Sequence, residues 1–464
     1  MGRHGVVLAL AVAGLLSVAV GAAPSWARWS PSVFVRSKGV WRAEAYAFGP
    51  RGALWSARTT VVNDQGETRL QVGRFTRGGR TFVPAALLEG NGQEKADSVR
   101  LLITPDGSAT VVWSYWIPYG IPGKQELSAD SWRLGSSVPL PVKLISPGCI
   151  NYLIGPGVAS FGDTTLVLYG EQFPGGGARS PCDAGLNLAK FQAGRLVGTE
   201  RTLDVTGFEG LHAPTLSPVL SGVLATWGVD SGNPTGKRPL EFASSPVTPT
   251  EPRGPAVPIP LPEGFEFSQG EASQLITGAD GDQLVWWEPE PEPLAPRIPV
   301  SVAWRSSAGP FRPGIELGDT RRFPEPAATA RRDGVTTLLF QQAIGNGRQG
   351  RVASVTERRG RFASSQPLSS AAVVGAFALA ETTQGRTLAA WTIEAKPGRI
   401  LTQAAFAGPS GRFGRTKTLS VTHSALTFNN NSLALVPDRE GGVLVVTRVN
   451  PANGTIDVFS RWHP

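Results

Sequence analysis

The sequence predicts an all-β chain folded as a β-propeller of eight four-stranded blades, and three observations predict it. The first is a recurring phrase, Pro105-Asp106-Gly107-Ser108-Ala109-Thr110-Val111-Val112-Trp113, in which a turn leads into an apolar, β-branched run closed by an aromatic. It returns at 163–169, 222–227, 281–287, 333–340 and 385–391, with fainter copies beginning at Gly52 and Gly441. The second is the period. The turn glycines Gly52, Gly107, Gly162, Gly222, Gly281, Gly334, Gly385 and Gly441 recur at a nearly even interval, long enough for four short strands and their turns. Phe311, Phe362 and Phe413 repeat at one fixed interval, each with a leucine six residues on (Leu317, Leu368, Leu419). The third is composition: 56 Gly, 39 Pro, 13 Trp and a single Met in 464 residues describe short strands joined by turns, not long amphipathic helices.

From the N-terminus, Arg3 and His4 precede an apolar run from Val6 to Val20, and Ser25-Trp26-Ala27 places small residues where a signal peptidase would need them. Residues 1–27 therefore read as a signal peptide and 28–464 as one propeller domain, exported and without a membrane span, acting as a monomer. An uncleaved anchor is the alternative. Each copy has room for four strands, with the first hairpin turning at the repeated glycine, where Asp-Gly suggests a type I′ turn. The last copy ends after its third strand at Trp462, while Ser32-Val33-Phe34-Val35-Arg36 precedes the first copy. An N-terminal strand that completes the last blade would close the ring and leave no open edge. Seven blades remain the alternative, should the first or last copy be decoration.

A meander sorts its connections by face. First–second and third–fourth turns share one end of the blades, called here the turn face, and second–third and fourth–first loops share the other, the loop face. The two cysteines, Cys149 and Cys182, fall in loop-face connections and are expected to pair, since export places them in an oxidising setting. The bridge would contribute about 3–4 kcal/mol in the chain-entropy picture.

The charge balance, 44 Lys and Arg against 36 Asp and Glu, gives +8 and favours polyanionic ligands. Basic residues are not interleaved with aromatics as a nucleic-acid groove requires, so no nucleic acid is expected. The candidate polyanion patch is Arg331, Arg332, Arg358, Arg359 and Arg361, which the repeat assigns to the two turn-face turns of the sixth copy. On the loop face, Tyr115-Trp116-Ile117-Pro118-Tyr119 reads as a second–third loop in which Tyr115, Trp116 and Tyr119 could form a ligand platform. Glu288, in the run of alternating Glu and Pro after Trp287, is the candidate loop-face carboxylate. Proline holds that run near polyproline II, so its carboxylates do not converge on one ion. The aromatics that end the second strands, Trp113 to Trp391, read as packing between blades rather than as sugar platforms.

Catalytic signatures are missing. No G-x-S-x-G elbow and no H-E-x-x-H occur, and His212, His423 and His463 lie far apart in the repeat. Gly345-Asn346-Gly347-Arg348-Gln349-Gly350 spells a dinucleotide fingerprint with no helix after it. No catalytic residue, metal or cofactor is assigned.

The repeat resembles the Pro-Asp-Gly hairpins of TolB-type propellers and the sialidase-like group of secreted bacterial propellers. Sialidases carry an aromatic-Arg-Ile-Pro motif near their start and Ser-x-Asp-x-Gly-x-Thr-Trp boxes. Here Pro296-Arg297-Ile298-Pro299 lacks the aromatic and lies past mid-chain, and Asp64-Gln65-Gly66-Glu67-Thr68 matches only part of a box. The resemblance therefore implies a fold and no activity. The function expected is a non-catalytic binding module for glycan or a surface polyanion, with a sialidase-like glycoside hydrolase or lyase and a protein scaffold as the alternatives.

Overall fold

The structure is a computed structural model and describes residues 28–37, 41–61, 68–76, 81–89, 95–117, 124–138, 142–145, 156–171, 185–204, 210–220, 222–230, 240–247, 257–259, 273–287, 298–307, 309–320, 326–344, 349–423, 432–449 and 455–464. These residues form eight antiparallel sheets in chain order, each built as a meander, and no helix. Blades 1 to 7 span 41–89, 95–145, 157–204, 210–259, 273–320, 327–367 and 373–423. Blade 8 takes Ser432–Pro437, Val443–Val449 and Thr455–His463 from the end of the chain. The first strand of each blade packs on that of the next, and the first strand of blade 8 packs on that of blade 1. The ring is closed.

The N-terminal strands provide the seal. Val33–Ser37 runs antiparallel to Thr455–His463 with Val33 opposite Phe459 and Ser37 opposite Thr455. Arg28 and Trp29 then pair with His463 and Trp462 further along the same strand. Between the two pieces, Ser32 donates its hydroxyl to Leu419 O of blade 7 (2.8 Å) and lies 2.7 Å from the Ser460 hydroxyl.

Every one of the eight repeat glycines has a positive φ. The turn they make differs from the type I′ expectation. In the hairpin at Gly107, the Gly107 amide donates to Thr104 O and the Thr104 amide to Ser108 O, and Asp106 does not have positive φ. This is a type I turn followed by a left-handed glycine that makes a bulge. Pro105, whose ring locks φ in the negative range, suits the first central position of a type I turn and is incompatible with type I′. The same pair of bonds recurs at Gly52, Gly281, Gly334, Gly385 and Gly441. Positive φ at both central residues occurs instead in third–fourth turns, at Ala193-Gly194 and Arg359-Gly360.

Position within the blade explains the apolar runs. A second strand has a sheet neighbour on either side and a neighbouring blade against each face, so it is buried on both faces, as in Gln283–Trp287 and Val443–Val449. The aromatic that ends it packs on the preceding blade. Trp113 shares a core layer with Ala57 and Leu70 of blade 1, Trp227 with Leu166 and Leu168 of blade 3, and Trp391 with Leu339 and Val352 of blade 6. Tyr169, Trp287 and Phe340 do the same, which bears out their reading as packing. The Phe-to-Leu marker is an interblade contact too: Leu317 of blade 5 lies in one layer with Phe362 of blade 6, and Leu368 of blade 6 with Phe413 of blade 7.

Candidate functional site

Two sets of arginines stand out among the described residues, one buried against carboxylates and one exposed. One set is inside the closing seam. Arg58 of blade 1 pairs with Glu44 of its own blade and with Asp457 of blade 8 (3.3 Å), while Arg448 of blade 8 pairs with Asp457 (3.0 Å) and Glu44. All four side chains are 5% exposed or less. Two positive and two negative charges therefore cancel inside a buried interface, with the Arg58 guanidinium 4.6 Å from the ring centres of Phe75 and Phe82. Burial, reinforced by the Asp457 carboxylate and opposed by Arg58, holds the Tyr46 phenol well above its ordinary range. The guanidiniums are turned on internal acids and shielded from water, so the set closes the ring and does not clamp a substrate.

The sequence carries a signal for this quartet that composition and motif do not show. Trp113, Trp287, Phe340 and Trp391 stand six residues after their turn glycines, and Arg58 stands six after Gly52. Where other blades wedge an aromatic against the preceding blade, blade 1 presents a cation to blade 8.

The second set is on the turn face of blades 5, 6 and 7. Val335 pairs with Arg358, which brings the 331–335 turn and the 358–361 turn to the same end of blade 6. Of the five arginines expected there, Arg331 is buried. Its Nη2 bonds Asp333 (2.6 Å) and its Nη1 donates to Gly408 O of blade 7 (3.1 Å), so it ties two blades together. Arg332, Arg358, Arg359 and Arg361 are exposed. The turn that carries them is tightly specified. Arg359 (φ 52°) and Gly360 (φ 78°) are both left-handed, and a Cβ on Gly360 would come within 2.6 Å of the Arg312 guanidinium and 2.8 Å of Trp304. Arg312 of blade 5 lies 5.0 Å from the centre of the Trp304 ring and donates to Gly360 O (3.1 Å). On the other flank, Thr356 donates to Gly411 O of blade 7 (3.2 Å), which brings exposed Arg412 beside the same turn. The outcome is an exposed belt: Arg312, then Arg358, Arg359 and Arg361, then Arg412, across three successive blades.

Of the nearby acids one pairs with an arginine and the others accept backbone amides, Asp280 from Asp282 among them (3.2 Å). Asp333 holds Arg331, Glu381 accepts the Arg332 amide (3.0 Å), and Asp282 accepts the Ser307 amide (3.0 Å). Beneath the belt Glu357 is buried and accepts the Gly360 amide. Burial pushes its carboxyl up to about 7; bonds to the Gly360 amide and Thr336 act against this, and the charges of Asp282 and Asp280 add to it. Asp130, buried in the third strand of blade 2, is pushed up to about 6 by burial, opposed by a bond from the Ser131 amide. Both acids are buried, and no group of three or more His, Cys, Asp or Glu is arranged to hold a metal among the described residues.

The loop-face candidates fare differently. Tyr115 and Trp116 are not in a loop: the second strand of blade 2 continues to Ile117, pairing Tyr115 with Ala96 and Glu126, and Trp116 with Lys95 and Gln125. Aromatic and β-branched residues favour that extension up to Pro118, which has no amide to donate to a ladder. Tyr119, Glu288, Cys149 and Cys182 lie outside the described residues. Gln349 and Gly350, the described residues of the 345–350 segment, open the strand Gln349–Arg358 and not a helix.

No protein-family model matches the chain, and no curated protein matches it. Solved structures similar to it include a protein of unknown function from Dyadobacter fermentans (13% identity, TM-score 0.39, covering 67% of this chain and 94% of that one). Also similar are the Penicillium chrysogenum alpha-L-arabinanase (10%, 0.38, 71% and 98%) and the Trypanosoma rangeli sialidase (10%, 0.36, 93% and 59%). The assignment of eight propeller blades rests on the strand pairing of this chain itself.

Proposed function

We propose that the chain is an exported, non-catalytic binding module that takes a polyanion on its turn face. One observation carries this reading. Arg358, Arg359 and Arg361 project from a turn with no described acid paired to them, flanked by Arg312 and Arg412, whereas Arg58 and Arg448 at the seam are buried against carboxylates. Guanidinium groups presented in a row suit sulfate, phosphate or carboxylate groups spaced along a chain or a surface. Binding to an immobilised sulfated polysaccharide, measured against salt, tests it. The reading expects affinity that falls steeply as salt rises and is lost in Arg358→Ser/Arg359→Asn/Arg361→Ser, with Asn chosen because it tolerates the left-handed position. Equal binding by that variant overturns it.

A glycan on the loop face is the second reading, since Tyr115 and Trp116 stand at the loop-face end of the second strand of blade 2. A sialidase-like hydrolase using a loop-face carboxylate such as Glu288 is the catalytic version. Turnover of a panel of neutral and acidic glycosides would favour it over a binding module.

A further inference from the structure

We propose that the turn face docks against an anionic lipid surface; this rests on the polyanion reading and names its partner. The chain enters the ring on the turn face. Arg28 lies opposite His463, at the end of the last strand, and Trp462 lies opposite Val443, the first residue after the blade 8 turn. The chain therefore comes in at the turn face and runs from there toward the loop face, Ser37 being opposite Thr455. Only residues 21–27 separate the apolar run Val6–Val20 from Arg28. Seven extended residues reach at most about 25 Å. In the alternative reading, where the apolar run stays uncleaved as an anchor, that reach puts this face of the ring next to lipid headgroups.

The composition of the face fits that position. Its arginines form the belt on blades 5 to 7 and continue as exposed Arg439 on blade 8, Arg51 on blade 1 and Arg28 on the closing strand. Arg439 also reaches back over the ring to Thr104 O of blade 2 (3.2 Å). Blades 3 and 4 contribute something a polysaccharide does not need. Their turns expose Phe161 (40%) and Leu220 (82%), the most exposed large apolar side chain among the described residues. The Leu220 amide is bonded to Ala279 O of blade 5 (2.8 Å), so its hairpin tip is held in place. Arginines along one arc with apolar tips along the next make a surface that gains from headgroup attraction and shallow insertion together.

The test is sedimentation of the chain from Arg28 to Pro464, which contains all eight blades and both closing strands. It is run with vesicles of phosphatidylcholine and phosphatidylglycerol mixed two to one, with pure phosphatidylcholine vesicles, and with heparin in their place. The proposal expects binding to the anionic vesicles and not to the zwitterionic ones. Arg358→Ser/Arg359→Asn/Arg361→Ser should weaken it at least tenfold. Leu220→Ser should weaken vesicle binding several-fold and leave heparin binding unchanged, and Lys396→Ser/Arg399→Ser, on a loop-face turn, should alter neither. Unchanged circular dichroism confirms that each variant is folded. Heparin binding without vesicle binding overturns the lipid proposal and leaves the polyanion reading standing. Binding to neither overturns both, and vesicle binding that the triple arginine variant retains overturns the role of the belt.

Discussion

Glu357 places a buried, titratable carboxyl beneath the exposed arginine turn. Its carboxyl lies under the Arg359-Gly360 turn, bonded to the Gly360 amide and buried, with its titration raised from 4.5 to about 7. The native state thus keeps the proton to higher pH than the unfolded chain does, so this group's contribution to stability falls as pH rises from 4.5 to about 7. Asp130 acts in the same direction between 3.8 and about 6. Glu357→Gln keeps an acceptor for Gly360 and removes the charge. The variant should match the wild type below pH 4.5 and exceed it above pH 7 by up to about 3 kcal/mol, the full size of such a shift. Denaturant unfolding at pH 4.5 and pH 8 measures this; a variant less stable than wild type at pH 8 would show that the ionised carboxylate is favourably held after all.

At the scale of the element, the sequence was most legible where a single residue type is required. Eight glycines mark eight left-handed turn positions because other residues pay a steric cost there. The turn type was misread because Asp-Gly also suits the bulged hairpin, and Pro105 was the residue that decides between them. Tyr115 and Trp116 were assigned to a loop because an aromatic cluster beside proline resembles one, whereas the backbone ladder holds to Ile117. The exposed arginines at 358–361 were found because a tight turn leaves its side chains no interior to occupy. The burial of Arg331 could not be read, since its acceptor at Gly408 belongs to the next blade and only ring packing brings it near. Ala193 tests the turn logic in isolation. It sits at φ 51° beside Gly194, where an added Cβ would meet the Trp132 backbone at 2.8 Å. Ala193→Gly should therefore raise the unfolding free energy by as much as about 1 kcal/mol, and Gly194→Ala should lower it. A loss of stability in Ala193→Gly would mean that the entropy of the added glycine outweighs the relief of strain.

At the scale of the molecule, the seam differs from the other interfaces because it joins segments from opposite ends of the chain. Blades 2 to 7 seal against their predecessors with an aromatic. Blade 1 seals against blade 8 with Arg58, Glu44, Arg448 and Asp457, whose pairing is satisfied in one register and leaves buried charge unpaired in any other. Asp457 is itself opposite Val35, so the strand that closes the ring and the charges that fix its register meet at one place. The same closure puts the chain's entry on the turn face and so decides which surface lies nearest the segment before Arg28. The measurement that tests this architecture most directly is a cross-link across the seam. In a chain carrying Cys149→Ser and Cys182→Ser, Arg36→Cys and Ile456→Cys stand opposite one another on paired strands, a separation a disulfide can span. Mild oxidation of the folded monomer should join the peptides containing residues 36 and 456 within one chain. A folded monomer that forms no such link would contradict the closed ring.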